Sequence, residues 1–560
     1  MHGMIALGHN GSMKRNQWVL LSLGVMVVVC VSVSQTLLYI QSVRPGSTFF
    51  FVHNYPADYY YYLQLIRQGM EGHFGVTTWM TPSIYPDRLV NTTFLFLGYL
   101  ARLFPIGGGF APMYWYFISR VVGAIALLSG IVVLLCTLKE RDGSRVFVFP
   151  SLLLVFICIA MSSSWWTYTN GSIVLPSILS KWTELDPLFR WSYIPSHLWS
   201  KVFLVVTYLL LISRLYTNHT DTMNARLFTW GMLALSVIIM GFSSPITLLT
   251  VGVSVGCASL VLFARYIRSR NRQDFDALIS CGIVLLVSLA VLVYHRMLIS
   301  DVFPWNTYAL WNIKTLPLPM WEYAMSFGPA LPLFLVSVPF LLSLGLSGIL
   351  LVTWAVSGFI GVYGIAPLLH VYPILFLEGY QFIPMALGAG WILIAIGKRA
   401  ASALHIRGIR YLPIGVFLLY ALVSDIGSFQ THLGYINQNQ SNTDVVSPIG
   451  YAFMLQYLSD HAPREAIVIA PPSLSLMLPA FSGMRSLGGH ILMTDENDKK
   501  MADISLFYRG ALAEKKAILN RYHASYIVMA DRQTFSQSEL RDLGMTHIIT
   551  HDGYSLYGRK

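Results

Sequence analysis

The residues best equipped for chemistry lie early in the chain, in His53-Asn-Tyr-Pro-Ala-Asp58-Tyr-Tyr-Tyr-Tyr62-Leu-Gln-Leu-Ile-Arg67-Gln-Gly69-Met-Glu71-Gly72. A carboxylate such as Asp58 can accept a proton from a hydroxyl, the work of a general base. Tyr59, Leu63, Ile66 and Met70 recur at helical spacing, with Asp58, Tyr62 and Gly69 on another face, so the segment predicts a short amphipathic helix. Such a helix would lie on a membrane surface, where tyrosines place apolar rings and polar tips at headgroup level. The competing role for Asp58 is helix N-cap, since Pro56-Ala57-Asp58 has the grammar of a helix start and a cap is worth about 1 kcal/mol. The other acids nearby are Glu71 and Asp87, the latter in Tyr85-Pro-Asp-Arg88. Hard cations take oxygen ligands, so either acid could join Asp58 around a divalent ion, Mg or Mn. The segment has no D-x-D, which leaves metal use open and makes a turn the preferred role for Asp87. His53, His73 and His197 are too scattered for a recognisable zinc motif.

The elements that must position these residues belong to a membrane. The 560 residues are 55% hydrophobic and 11% charged, against about 25% charged in soluble domains. A formal charge of +11 would suggest nucleic acid if it formed one patch. Residues 429–560 hold 12 basic and 12 acidic side chains, so the excess belongs to the apolar part and signals membrane orientation rather than a nucleic-acid partner. Eleven runs are long enough to span, at 18–40, 113–137, 146–164, 199–214, 227–243, 246–266, 275–294, 329–344, 347–365, 381–397 and 411–428. The first follows Lys14 and Arg15 and is too long for a signal-peptide core, so it predicts a retained anchor.

With the N-terminus inside, the basic loops all fall on the cytoplasmic face: Lys139, Arg141 and Arg145; Arg214 and Arg226; Arg265 to Arg272; Lys398 to Arg410. The outside then holds residues 41–112, 165–198, 295–328 and the tail from about 429. An apolar segment at 89–104 is assigned to skim the membrane within the first external loop, because a further span there would reverse Lys139 to Arg145. The tail reads as an α/β domain, with strands at Ala466 to Ala470, Ser525 to Met529, Thr546 to Thr550 and Tyr554 to Tyr557, and a helix at Ala511 to Tyr522. The domains are therefore 1–428, transmembrane, and 429–560, extracytoplasmic. All five cysteines lie in apolar runs, which implies no disulfide framework.

An acid just after the first span, a Tyr-rich helix ending near a Gly, about ten further spans and an external α/β tail together resemble the GT-C glycosyltransferases. The resemblance covers the whole architecture and few motifs. It implies an integral enzyme of a prokaryotic inner membrane with its active site outside. The donor would be a polyprenyl-phosphate sugar, hexosyl or pentosyl, the acceptor a lipid, glycan or protein, and Asp58 the base. Attack from the face opposite the phosphate would invert the anomeric centre, with the phosphate leaving unaided by a strong acid.

The same resemblance ranks the remaining residues. A phosphate-handling cation should be external and near the membrane, which fits Arg190, in Leu188-Phe-Arg-Trp-Ser-Tyr-Ile-Pro195-Ser-His197, and Lys201. Their competing role is an aromatic-belt anchor. Arg120 lies about two turns inside a span, where an unpaired charge costs at least about 2.5–3.5 kcal/mol, so it requires a partner or a polar cavity. Relatives often carry arginines where this chain has Phe376-Leu-Glu378-Gly-Tyr380-Gln381, a departure that puts the usual phosphate contact in doubt. In the tail, Ser482-Gly-Met-Arg485-Ser-Leu-Gly-Gly489-His490 offers Arg485 and His490 on a glycine-rich loop for acceptor or phosphate. With His197 and Asp87, these make up the substrate-binding candidates.

Two other classes compete. A transporter or lipid flippase would also carry eleven spans, but would concentrate ionisable residues or helix breaks near the midplane. A non-catalytic relative would bind lipid-linked saccharide without turnover.

Overall fold

The computed structural model describes residues 14–142, 149–161, 164–181, 183–214, 222–299, 302–308, 318–530 and 535–559; Arg145 of the first basic loop lies outside them. The chain forms two compact units. One comprises Met1–Val33, Arg120–Tyr294 and Asn312–His432, the other Ser34–Ser119, His295–Trp311 and Leu433–Lys560.

The first unit is helical. Among the described residues of the whole chain, nine helices are long and apolar enough to cross a membrane. The two other predicted spans carry shorter apolar helices, Phe149–Ala160 and Ala330–Ser343. Each helix satisfies its own backbone groups, the condition for crossing hydrocarbon. All five cysteines are free thiols.

The second unit joins the first-loop region to the tail. Strand Ser47–Phe49 pairs antiparallel with Val446–Pro448, Phe49 facing Val446. The tail sheet runs, in spatial order, Arg485–Ser486, Ile467–Ile469, Tyr526–Ala530, Tyr554–Arg559 and Met545–His551. Ile467–Ile469 is parallel to both of its neighbours, and the remaining pairs are antiparallel. Its apolar face closes over helices Asn497–Arg509 and Leu512–Tyr522 through Ile504, Phe507, Ile518 and Leu519. The four strands and the second helix read from the sequence are all present.

Helix Pro56–Glu71 differs from its expected setting on a membrane surface. Tyr59, Tyr60, Tyr61, Leu63, Gln64, Leu65, Ile66, Arg67, Gln68 and Gly69 are all buried and Tyr62 is partly so, which makes most of its middle core. Burial on several faces is affordable because the polar tips find partners. Tyr59 donates to Phe50 O at 2.7 Å, Tyr60 to Asp444 O at 3.0 Å, and Gln68 bonds both N–H and C=O of Thr77. Segment 89–104 forms helix Thr92–Leu103, whose 12 residues cover about 18 Å, well short of the hydrocarbon thickness of about 30 Å. It crosses helix Pro56–Glu71 at Gly69 and Gly98, where an added Cβ would collide with Leu95 O or Ile66 O.

Candidate active site

Asp58 sits in the first turn of helix Pro56–Glu71, but it is not the cap. Tyr55 occupies that position with Pro56 beginning the helix, and no side chain caps the end. The carboxylate is 43% exposed. Its Oδ1 meets His490 Nε2 at 3.1 Å, across 432 residues of sequence.

The tautomer of His490 follows from its other nitrogen. Nδ1 accepts the backbone N–H groups of Leu492, at 3.0 Å, and Met493, at 3.2 Å. A nitrogen that accepts carries no proton, so the proton belongs on Nε2 and the neutral imidazole donates to Asp58. His490 is 2% exposed, and the segment that follows it is pinned against residues 80 and 81. Thr494 Oγ1 bonds Met80 O at 2.7 Å, and Lys500 Nζ reaches Thr81 Oγ1 at 2.7 Å and Asp495 Oδ1 at 2.6 Å. Burial alone would raise the Asp495 carboxyl, but Lys500, Thr81 and Ser83 outweigh it and hold it below its usual value.

The result is a carboxylate held by one oxygen, while Oδ2 has no hydrogen-bond partner among the described residues. Tyr61 and Tyr308 stand near it, and burial, the largest cause, raises both phenols and keeps them protonated. The arrangement suits accepting a proton at Oδ2.

Other first-loop acids do not share this place. Glu71 lies 13 residues further along the same helix, about 20 Å away, so the two carboxylates cannot hold one cation. Glu71 is instead paired with Arg67 at 2.7 Å and with Arg464. Asp87 is 47% exposed and lies 3.6 Å from His73 Nδ1, in irregular backbone just before the isolated bridge of Arg88 with Val76. Arg485 lies not on a loop but in a short strand, 4% exposed, donating to Ser83 O at 3.0 Å and facing Glu465 at 3.7 Å. Burial, partly opposed by Glu465, lowers its guanidinium from the usual value.

The helical unit gathers a second set. His197 and Lys201 stand one turn apart on helix Pro195–Arg214 and meet Glu184 and Glu378. His197 Nδ1 is 2.7 Å from Glu378 Oε2, and Lys201 Nζ lies 3.2 Å from Glu184 and 3.3 Å from Glu378. Burial pushes both carboxyls up. The two cations overcome this at Glu378, holding it down at about 2, whereas Glu184 stays raised. Glu378 thus takes up cations where relatives were expected to carry arginine. Lys201 is fully buried in these pairs, with no open side toward a phosphate.

Arg190 is also internal, 2% exposed, with Nε on Asp186 O at 2.9 Å and its guanidinium 4.1 Å over the Phe382 ring. Burial lowers it to about 10 against the pull of Asp186. Tyr380 donates to Arg190 O at 2.6 Å from a left-handed backbone, φ 49°. Arg120 has found the partner its depth required, with Nε on Ser192 O at 2.6 Å. Glu184 is the member that sequence reasoning missed; the available signal was Glu184-Leu-Asp186, two acids close together in a chain with few.

The chain is a polytopic membrane protein, helical with a small sheet near its C-terminus, and it shares this fold with a solved membrane protein. Among solved structures, ArnT from Cupriavidus metallidurans bound to undecaprenyl phosphate matches with a TM-score of 0.52 and 9% identity, over 97% of this chain and 98% of that one. The apo form of the same protein matches with a TM-score of 0.46 and 11% identity over the same shares. No family model matches the chain, and no curated protein matches it in sequence.

Proposed function

We propose that this protein is a glycosyltransferase that moves a sugar from a polyprenyl-phosphate donor to an acceptor hydroxyl or amine at the outer face of the membrane, with inversion. The observation that carries the reading is the Asp58–His490 pair at 3.1 Å, a half-exposed carboxylate with one oxygen anchored, in a chain sharing its fold with an undecaprenyl-phosphate-bound protein. Asp58 Oδ2 removes the acceptor proton as the acceptor forms its bond to the anomeric carbon. The bond from that carbon to the phosphate oxygen breaks, and the polyprenyl phosphate departs with the electron pair. His490 is a positioning residue, because it touches only the base.

The test is transfer from a panel of polyprenyl-phosphate sugars by wild type and Asp58→Asn, with both melted to verify folding. The variant is expected to fold normally and lose at least about 100-fold in turnover, the scale of a lost general base. Equal activity would remove Asp58 from the mechanism. Absence of transfer from every donor, together with movement of lipid or solute in vesicles, would favour the transporter reading.

A further inference from the structure

Glu184, His197 and Glu378 converge on a single point of the helical unit, and the glycosyl-transfer chemistry proposed above does not use them. One ligand atom from each lies within 4.8 Å of the others, and His197 Nδ1 is 3.7 Å from Glu184 Oε1 and 2.7 Å from Glu378 Oε2. Glu184 is 2% exposed and Glu378 0%, so neither carboxylate reaches bulk water. Glu184 Oε2 and Glu378 Oε1 have no hydrogen-bond partner among the described residues, although burying a charged oxygen unsatisfied is among the costliest arrangements in a protein. Ser244 Oγ donates to Glu378 Oε2 at 3.3 Å, and Thr247 Oγ1 bonds Ser200 at 2.5 Å and Lys201 at 2.7 Å.

We propose that Glu184, His197 and Glu378 form a binding site for a divalent transition metal of the zinc class. An imidazole nitrogen with two carboxylates is a borderline donor set that suits zinc better than magnesium or calcium, which want oxygen alone. Three protein ligands leave a coordination position for water or an anionic group. The ligand atoms need to draw together by a few tenths of an ångström, since metal–oxygen and metal–nitrogen bonds are about 2.0–2.2 Å. Lys201 is the internal competitor. Its ammonium touches both carboxylates, supplying positive charge where the metal would, so the metal binds by displacing it from at least one glutamate. This inference does not depend on the glycosyltransferase reading, because its readouts are metal content and spectrum.

The full-length protein, purified in detergent and stripped with chelator, is titrated with Zn²⁺ and with Co²⁺ as a spectroscopic probe. Wild type is expected to take up one zinc per chain, to melt higher when loaded, and to give a Co²⁺ visible spectrum with nitrogen and oxygen ligation. Glu184→Gln, close in shape to the native side chain, and His197→Ala should each lose the metal while still melting cooperatively. Lys201→Met, which removes the competing charge, should bind at least about tenfold tighter. The proposal is overturned if wild type takes up no zinc, whether or not Lys201→Met does, or if Glu184→Gln and His197→Ala bind as wild type does. The Lys201→Met and wild-type titrations decide the matter even where a ligand variant does not fold.

Discussion

His490 performs two jobs with two nitrogens, and two substitutions can separate them. Nε2 donates to Asp58, whereas Nδ1 receives the N–H groups of Leu492 and Met493. In His490→Gln the amide nitrogen lies near the position of Nε2 and keeps the donor, but nothing replaces Nδ1. In His490→Asn the amide oxygen lies near Nδ1 and keeps the acceptor, but nothing reaches Asp58. Met493 N–H keeps the His490 carbonyl at 3.2 Å, so His490→Gln leaves the part-buried Leu492 N–H without its acceptor and should be destabilised by about 1–3 kcal/mol. His490→Asn removes the group that fixes Asp58. A 43% exposed side chain then samples other rotamers, and displacement of a reacting group by about 1 Å can cost about 100-fold. Its turnover should fall about 10- to 100-fold, while its melting stays near that of wild type. Denaturation in detergent and initial-rate transfer, measured on the same preparations, give the two readouts. The Gln variant should be the less stable and the more active of the two. Full activity in a folded His490→Asn protein would refute the positioning role, as would equal loss of activity in both variants.

The other predictions address separate parts of the structure. Gly98→Ala should destabilise the second unit by about 1–3 kcal/mol, because the new methyl meets the backbone of Ile66 and Gly69 rather than a movable side chain; hydrogen exchange in helix Thr92–Leu103 would report it. Asp58→Asn should leave the melting temperature nearly unchanged, since Asp58 does not cap the helix; a drop of the size of a lost cap, about 1 kcal/mol, would count against the assignment. The Asp495 carboxyl is depressed in the folded protein, so its stabilisation is complete above the unfolded value near pH 4 and is lost as pH falls through the lower folded value. Melting followed from pH 6 to pH 3 should therefore be less steep on the acid side for Asp495→Asn. Zinc uptake by the Glu184, His197 and Lys201 variants completes the set.

Much of the architecture was legible because its signals are local. A run of about 20 apolar residues has no satisfactory place except hydrocarbon, which is why, among the described residues, nine of the eleven predicted runs carry helices long enough to cross, while 146–164 and 329–344 carry shorter ones. β-branched stretches such as Ile467–Ile469 and Tyr526–Ala530 declare strands for a similar reason, since their side chains suit a pleated surface. Asp58 and His490 were singled out by residue type together with the resemblance to a known family. Their union could not, because a hydrogen bond across 432 residues is created by closure of the chain, which leaves no periodicity to read. The buried setting of the tyrosine helix was hidden for the same cause: whether a tyrosine lies in a headgroup layer or a core depends on whether distant carbonyls, here Phe50 O and Asp444 O, come to meet its hydroxyl. Lys201 and Arg190 show the limit from the other side. Their charge and external position suggested phosphate, but Arg190 turns back on the carbonyl of Asp186 four residues earlier, and Lys201 meets Glu378 from 177 residues away, a partner that no window of sequence around it could display.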